Sequence, residues 1–168
     1  MKIAIVYSSL TNNTKLLAEA LKNKYIDNVV FCGKVKEIKE IDADIYFLGS
    51  WTDKGDISNE LIPFVESLNN KRVFLFGTCG FGGSEQYYLN LYNRFKNHLD
   101  QSNEVLGHFY CQGKMPLTIK ERYISLIKQH PEDKNLLVSI DNFDKALSHP
   151  DQNDINDFLD VVDKVIKY

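Results

Sequence analysis

The sequence is short of several things, and each shortage excludes a class of protein. It has 20 basic side chains against 23 acidic ones, a net charge of −3, so no cationic excess is left for nucleic-acid phosphates. It has three cysteines, Cys32, Cys79 and Cys111, in an odd and widely spaced set without a CxxC pair. That speaks against a disulfide framework and against a zinc site. Free thiols suit a reducing compartment, and the expected location is the cytoplasm. Four prolines and nine glycines in 168 residues are too few for a collagenous or low-complexity chain. No apolar run approaches the roughly 20 residues of a membrane-spanning helix. The opening MKIAIVYSSL is followed by no small-residue cleavage site and reads as a strand, not a signal peptide. No internal repeat is present.

Hydrophobic residues make up 43% and charged residues 26%, an ordinary globular balance. At roughly 100–200 residues per domain, the expectation is one domain over 1–168. Short apolar runs alternate with helical periodicity. Ile3-Ala4-Ile5-Val6, Val29–Cys32, Ile45–Leu48, Val73–Phe76 and Val105–Cys111 read as strands. Helices are marked by Leu17, Ala20, Leu21 and Tyr25, by Leu61, Phe64, Val65 and Leu68, and by Tyr88, Leu91, Tyr92, Phe95 and Leu99. A last one is marked by Ile155, Phe158, Leu159, Val162, Val165 and Ile166. Alternating strands and helices imply βαβ units with right-handed crossovers, an α/β three-layer sandwich around a five-stranded parallel sheet. The length suits the strand order 2-1-3-4-5. The charged link from Gly33 to Ala43 points to a degenerate crossover. Residues 116–150 exceed that minimal pattern and read as an inserted helical pair before the last helix, on Ile119, Tyr123, Ile124 and Ile127, then Leu136, Leu137, Ile140, Phe143 and Leu147.

Ligands of such sheets bind at the carboxyl ends of the strands, where strand order reverses. The loops to inspect are therefore Ser8–Thr14, Ser50–Asp56 and Thr78–Ser84. The first carries six hydroxyl or amide side chains in seven positions, immediately before a helix whose free N–H groups favour an anion. It contains no Lys or Arg, so neutral donors would hold a phosphate; helix capping accounts for one such residue but not for six. The second holds Trp51, the sole tryptophan, placed to stack on a planar ligand, or simply half-buried. Gly55 permits a positive-φ turn, and Asp53 and Asp56 bring negative charge that disfavours an anionic reduced ligand. The third has four glycines in Gly77–Gly83, so backbone can approach a ligand closely. Neither GxGxxG nor a P-loop is present, because Glu85 and Gly83 occupy the deciding positions. A receiver domain would want acidic residues after the first strand, where Tyr7-Ser8 stand, although Lys114 is suggestively placed.

Val6-Tyr7-Ser8-Ser9-Leu10-Thr11-Asn12-Asn13-Thr14 resembles the flavodoxin signature, a Tyr-x-Ser/Thr-x-Thr-Gly-Asn-Thr phosphate loop after the first strand. Gly49–Gly55 resembles that family's second flavin loop and Phe76–Gly80 its third. The resemblance implies a flavodoxin-like fold and a noncovalent FMN. On it, Ser9, Thr11, Asn12, Asn13 and Thr14 hold the 5′-phosphate, and Ser50, Trp51 and Thr52 lie along the ring with Trp51 stacked upon it. Thr78, Cys79, Gly80 and Phe81 edge the ring, and Gly55 is a candidate for the peptide beside it that can flip on reduction. The sequence departs from the pattern at Asn12, where the signature has Gly; Asn tolerates the left-handed region better than most residues. The third loop also lacks the usual Asp, leaving Phe81 or Tyr87 as the second ring aromatic.

The expected function is transfer of low-potential electrons to redox partner proteins, by a cytoplasmic carrier more than by a stand-alone enzyme, a choice the sequence leaves open. No residue is assigned a catalytic role, no metal is expected, and the expected state is a monomer or weak dimer. The alternative is an FMN-dependent NAD(P)H or quinone reductase, in which the 116–150 insertion builds a pocket or lid and His108, His130 or Tyr110 acquires a role. A third reading, a module that has lost its flavin, rests on Asn12 and the altered third loop. Cys79 reads as a packing residue and not a redox thiol, with no resolving Cys and no Lys or Arg nearby in sequence. The C-terminal aspartates 151, 154, 157, 160 and 163 read as a solvated helix face, with docking of a basic partner as the lesser reading.

Overall fold

The computed structural model describes residues 1–166; residues 167 and 168, the last two of the expected domain, lie outside the described residues. Six strands are present: β1 (Ile3–Ser8), β2 (Val29–Lys34), β3 (Ile45–Asp53), β4 (Asp56–Ile57), β5 (Arg72–Cys79) and β6 (Glu104–Gln112). Six α-helices accompany them: α1 (Asn13–Lys24), α2 (Ile62–Ser67), α3 (Glu85–Asn97), α4 (Leu117–Gln129), α5 (Lys134–Ala146) and α6 (Gln152–Ile166).

The five long strands run parallel in the order β2-β1-β3-β5-β6. Counted among themselves this is the expected 2-1-3-4-5. The addition is β4, two residues that pair antiparallel with the end of β3. The central strands explain why the sequence shows continuous apolar runs: all six residues of β1 and the first six of β3 are buried. A strand covered on both faces has no polar side to alternate with. Period-two geometry divides its side chains between two cores. Ala4, Val6, Tyr46, Leu48, Val73 and Leu75 pack with Leu61 at the start of α2 and Val65 within it, and with Leu91 and Phe95 of α3. Ile3, Ile5, Phe47, Phe74 and Phe76 pack with Leu17, Ala18 and Leu21 of α1 and with Phe158 and Val162 of α6. Phe158 alone touches three sheet rings, with centroids 5.2 Å from Phe76, 5.3 Å from Phe109 and 6.2 Å from Phe74.

Between β2 and β3 the crossover shrinks to a single 3₁₀ turn at Val35–Glu37. The inserted pair forms as α4 and α5, but most of its apolar residues are only half-buried or exposed. α4 buries none of its residues, and α5 buries only Phe143 and Ala146, while Leu137 and Val138 are exposed. A hydrophobic period therefore foretells the helices here but not their burial. α6 begins with a reciprocal cap. Asp151 accepts from the N–H groups of Asn153 (2.8 Å) and Asp154 (2.9 Å), and Asp154 accepts from the N–H of Asp151 (2.8 Å). Among the described residues no helix is long and apolar enough to cross a membrane.

Candidate functional site

A cavity of about 370 Å³ opens where the strand order reverses, at the carboxyl ends of β1, β3, β5 and β6. That volume falls within the range of roughly 300–1,000 Å³ of small-ligand and cofactor sites. Its lining joins Thr11 and Asn13 of the first loop to Trp51, Thr52 and Gly55 of the second and to Thr78, Cys79, Gly80 and Phe81 of the third. These nine of the thirteen expected site residues thus share one cavity, with Tyr87 beside them.

The other four, Ser9, Asn12, Thr14 and Ser50, do not line it. Ser9, Thr14 and Ser50 are buried beneath it and shape it through hydrogen bonds. Ser9 Oγ accepts from the N–H of Lys15 at 3.2 Å. The hydroxyls of Thr14 and Thr78 share a hydrogen bond of 3.0 Å, tying the first loop to the third. Ser50 Oγ donates to the carbonyl of Trp51 (2.7 Å) and accepts from the N–H of Ser58 (2.9 Å). Asn12 acts through its backbone. It caps α1 at φ 65° and ψ 4°, in the left-handed region, so the position calls for Gly or Asn and here has Asn. Among the described residues the N–H groups of Thr11 to Thr14 donate to no protein acceptor. A left-handed residue at a helix start turns successive amides toward one point, which suits an anion.

Asn13 is the pivot of this loop. Its Nδ2 donates to Thr11 Oγ1 at 2.8 Å and to the carbonyl of Lys114 at 2.9 Å. Its Oδ1 is buried without a hydrogen-bond partner. A buried acceptor with no donor calls for one from a ligand, such as a hydroxyl.

The second loop differs from expectation. Trp51–Asp53 continue β3, with Trp51 opposite Thr78 of β5. The chain then reverses through Lys54 (φ 49°) and Gly55 (φ 82°) into β4. Two successive positive φ values are what a two-residue hairpin needs. Arg94 of α3 holds this hairpin by donating from Nη1 to the carbonyl of Gly55 at 2.9 Å.

In the third loop, the carbonyl of Gly80 accepts from Gln112 Nε2 and Asn142 Nδ2, each at 2.9 Å. The insertion thus supports the loop through Asn142. Cys79 donates its thiol to the carbonyl of Phe81 (3.0 Å), and burial pushes that thiol up to about 12. It is a protonated packing group, as the sequence suggested.

The electrostatics of the cavity also depart from expectation. Among the described residues no Asp or Glu lines it; Lys54 and Lys114 do. Asp56 turns instead to His98, 3.2 Å away, and caps the N–H of Ile57. The negative field expected from Asp53 and Asp56 is therefore not delivered by the lining. His108, His130 and Tyr110 lie elsewhere: His108 stacks on Tyr92 at 3.9 Å, Tyr110 is buried against Tyr88, and His130 is exposed. Burial lowers the pKa of His108.

The sequence reading missed a fourth wall. Gly113, Lys114, Met115, Pro116 and Ile119, from the end of β6 into α4, line the cavity. The available signal was that β6 also presents its carboxyl end at this edge of the sheet. The site as a whole offers unpaired amides and hydroxyls to an anion, a donor-seeking carbonyl, and the aromatic faces of Trp51, Phe81 and Tyr87 to a flat apolar ring.

Residues 4–163 match the family model described as flavodoxin domain. A flavodoxin-like domain-containing protein BilS from Clostridium symbiosum is 34% identical over an alignment that covers 94% of this chain and 92% of that protein. The fold is also that of a short-chain flavodoxin associated with a bacterial microcompartment, at 14% identity and a TM-score of 0.62, over 99% of this chain and 98% of that one. A flavoprotein from Lactobacillus acidophilus, solved in complex with FMN, superposes at a TM-score of 0.50 and 16% identity, over 66% of this chain and 93% of that one.

Proposed function

This chain belongs to the flavodoxin family, and from that premise we propose that it binds FMN and passes electrons singly to partner oxidoreductases. The observation that carries the reading is the cavity at the switch point, which joins the amide-rich start of α1 to the aromatic walls of the second and third loops. The residues present fit the cofactor. Its phosphate matches the unpaired amides of Thr11–Thr14, its ribityl hydroxyls supply the donor that Asn13 Oδ1 lacks, and its ring suits Trp51, Phe81 and Tyr87. Bound FMN supplies one- and two-electron redox chemistry; the chain's part is to hold it, exclude water and set its potentials.

The lining favours a carrier. No His, Asp or Glu among the described residues stands there to hand a proton to a substrate, and burial keeps Cys79 and Tyr87 protonated. The exposed Phe81 and Leu10 leave the rim open to a docking protein. Low potentials would rest on stacking by Trp51 and on the net charge of −3, since no lining carboxylate contributes. We place the carrier in the cytoplasm on its three free cysteines, as a one-domain monomer or weak dimer. The reductase remains the second reading because Met115, Pro116 and Ile119 extend the cavity beyond the three flavin loops, as a substrate pocket would require.

Anaerobic stepwise reduction of the FMN-loaded protein separates the two. A carrier accumulates a stable one-electron stage. A reductase passes directly to the two-electron stage when NAD(P)H is added.

A further inference from the structure

We propose that Lys114 supplies the positive charge that the phosphate loop lacks, with its ammonium paired to the phosphate of the bound flavin nucleotide. This rests on the FMN reading above. The loop Ser8–Thr14 contains no cation, and Lys15, the next one in sequence, is already paired with Glu19 at 3.4 Å. Lys114 comes from the other side of the sheet edge, one hundred and one residues beyond Asn13, and lines the same cavity as Thr11 and Asn13.

Its backbone is held at both ends. Its N–H donates to the carbonyl of His149 at 2.9 Å, beside the cap of α6, and its carbonyl accepts from Asn13 Nδ2 at 2.9 Å. Gly113 lies so close to the loop that an added Cβ would stand 2.5 Å from Asn13 Nδ2. The connection is thus fitted against the start of α1, and the side chain of Lys114 begins there. That side chain is exposed and has no ion pair among the described residues, whereas Lys120 and Lys145 of the neighbouring helices are paired with Asp144 and Asp141. Among the described residues no carboxylate lines the cavity to compete for it. A lysine whose backbone is anchored at the start of α1, whose side chain has no ion pair among the described residues, and which lines the same cavity as Thr11 and Asn13 would complete a site for a phosphate ester, and it would favour FMN over riboflavin.

The test is titration of the purified protein with FMN and, separately, with riboflavin, which lacks the phosphate. At low salt Lys114→Gln should weaken FMN about fivefold, the scale of a solvent-exposed ion pair. The loss should shrink toward nothing near about 1 M salt, where charges are screened within about 3 Å. Riboflavin affinity should not move, and Lys114→Arg should restore FMN binding. Lys128→Gln, on the exposed surface of α4, controls for net charge and should leave FMN binding unchanged. The inference is overturned if Lys114→Gln leaves FMN affinity intact, weakens both flavins alike, or is matched by Lys128→Gln. A wild-type protein that binds neither flavin overturns the FMN reading itself, and this inference with it.

Discussion

Gly113→Ala tests whether the end of β6 is part of the binding site. The new methyl would lie 2.5 Å from Nδ2, 2.9 Å from Cγ and 3.1 Å from Cβ of Asn13. The first two are closer than carbon atoms approach in real proteins. The backbone of Asn13 is fixed in the first turn of α1, so its side chain must swing away. That breaks the bonds from Nδ2 to Thr11 Oγ1 and to the Lys114 carbonyl. Two half-buried hydrogen bonds at roughly 0.5–1.5 kcal/mol each amount to about 1–3 kcal/mol. Residual overpacking adds about 1–3 kcal/mol. Denaturant unfolding should therefore report a loss of about 2–6 kcal/mol. FMN titration should weaken at least tenfold, since every 1.4 kcal/mol of lost loop order is about a factor of ten. A double-mutant cycle isolates the mechanism. In an Asn13→Ala background the two closest atoms are gone and only the Cβ at 3.1 Å remains, so Gly113→Ala should cost less than about 1 kcal/mol further. Wild-type stability and FMN affinity in Gly113→Ala, or strict additivity with Asn13→Ala, would refute the reasoning.

The remaining predictions follow the same contacts. Phe158→Ala empties a fully buried ring site against Phe74, Phe76 and Phe109 and should cost about 3–5 kcal/mol by denaturant unfolding; a loss under about 1 kcal/mol would mean that α6 does not seal that core. Trp51→Ala should weaken FMN and alter its visible spectrum, and no change in either would remove the stacking assignment. The Cys79 thiol rises from an ordinary 9.0 to about 12 on folding, so the unfolded chain loses its proton first. Its contribution is complete below about pH 9 and is lost as pH climbs toward about 12, by up to about 1.4 kcal/mol per pH unit. Unfolding at about pH 8 and about pH 10 should show a smaller alkaline loss in Cys79→Ala than in wild type; equal losses would contradict the burial argument.

The layers of the fold were legible because β1, β3 and β5 are covered on both faces, which leaves a continuous apolar run as their mark. Helices α1, α3 and α6 showed as clear stripes for the complementary reason, one face inside and one outside. The hairpin after β3 was not legible. Trp51 belongs to the sheet because Thr78, twenty-seven residues on, stands opposite it, and no local pattern records that pairing. The charge balance of the cavity was misread for a similar reason. Asp56 is near Trp51 in sequence, but His98 of the α3 terminus draws its carboxylate away, and the lysines that do line the cavity arrive from the hairpin tip and from beyond β6. The left-handed demand at Asn12 was legible in advance, because a signature that has Gly and a chain that has Asn point to the same backbone region.

The most direct test of the account is the visible spectrum of the purified protein titrated with FMN and then reduced anaerobically in small steps. The account predicts saturable FMN binding and a one-electron stage that accumulates before full reduction. Absence of FMN binding would contradict it outright, and direct passage to the two-electron stage on addition of NAD(P)H would replace the carrier with a reductase.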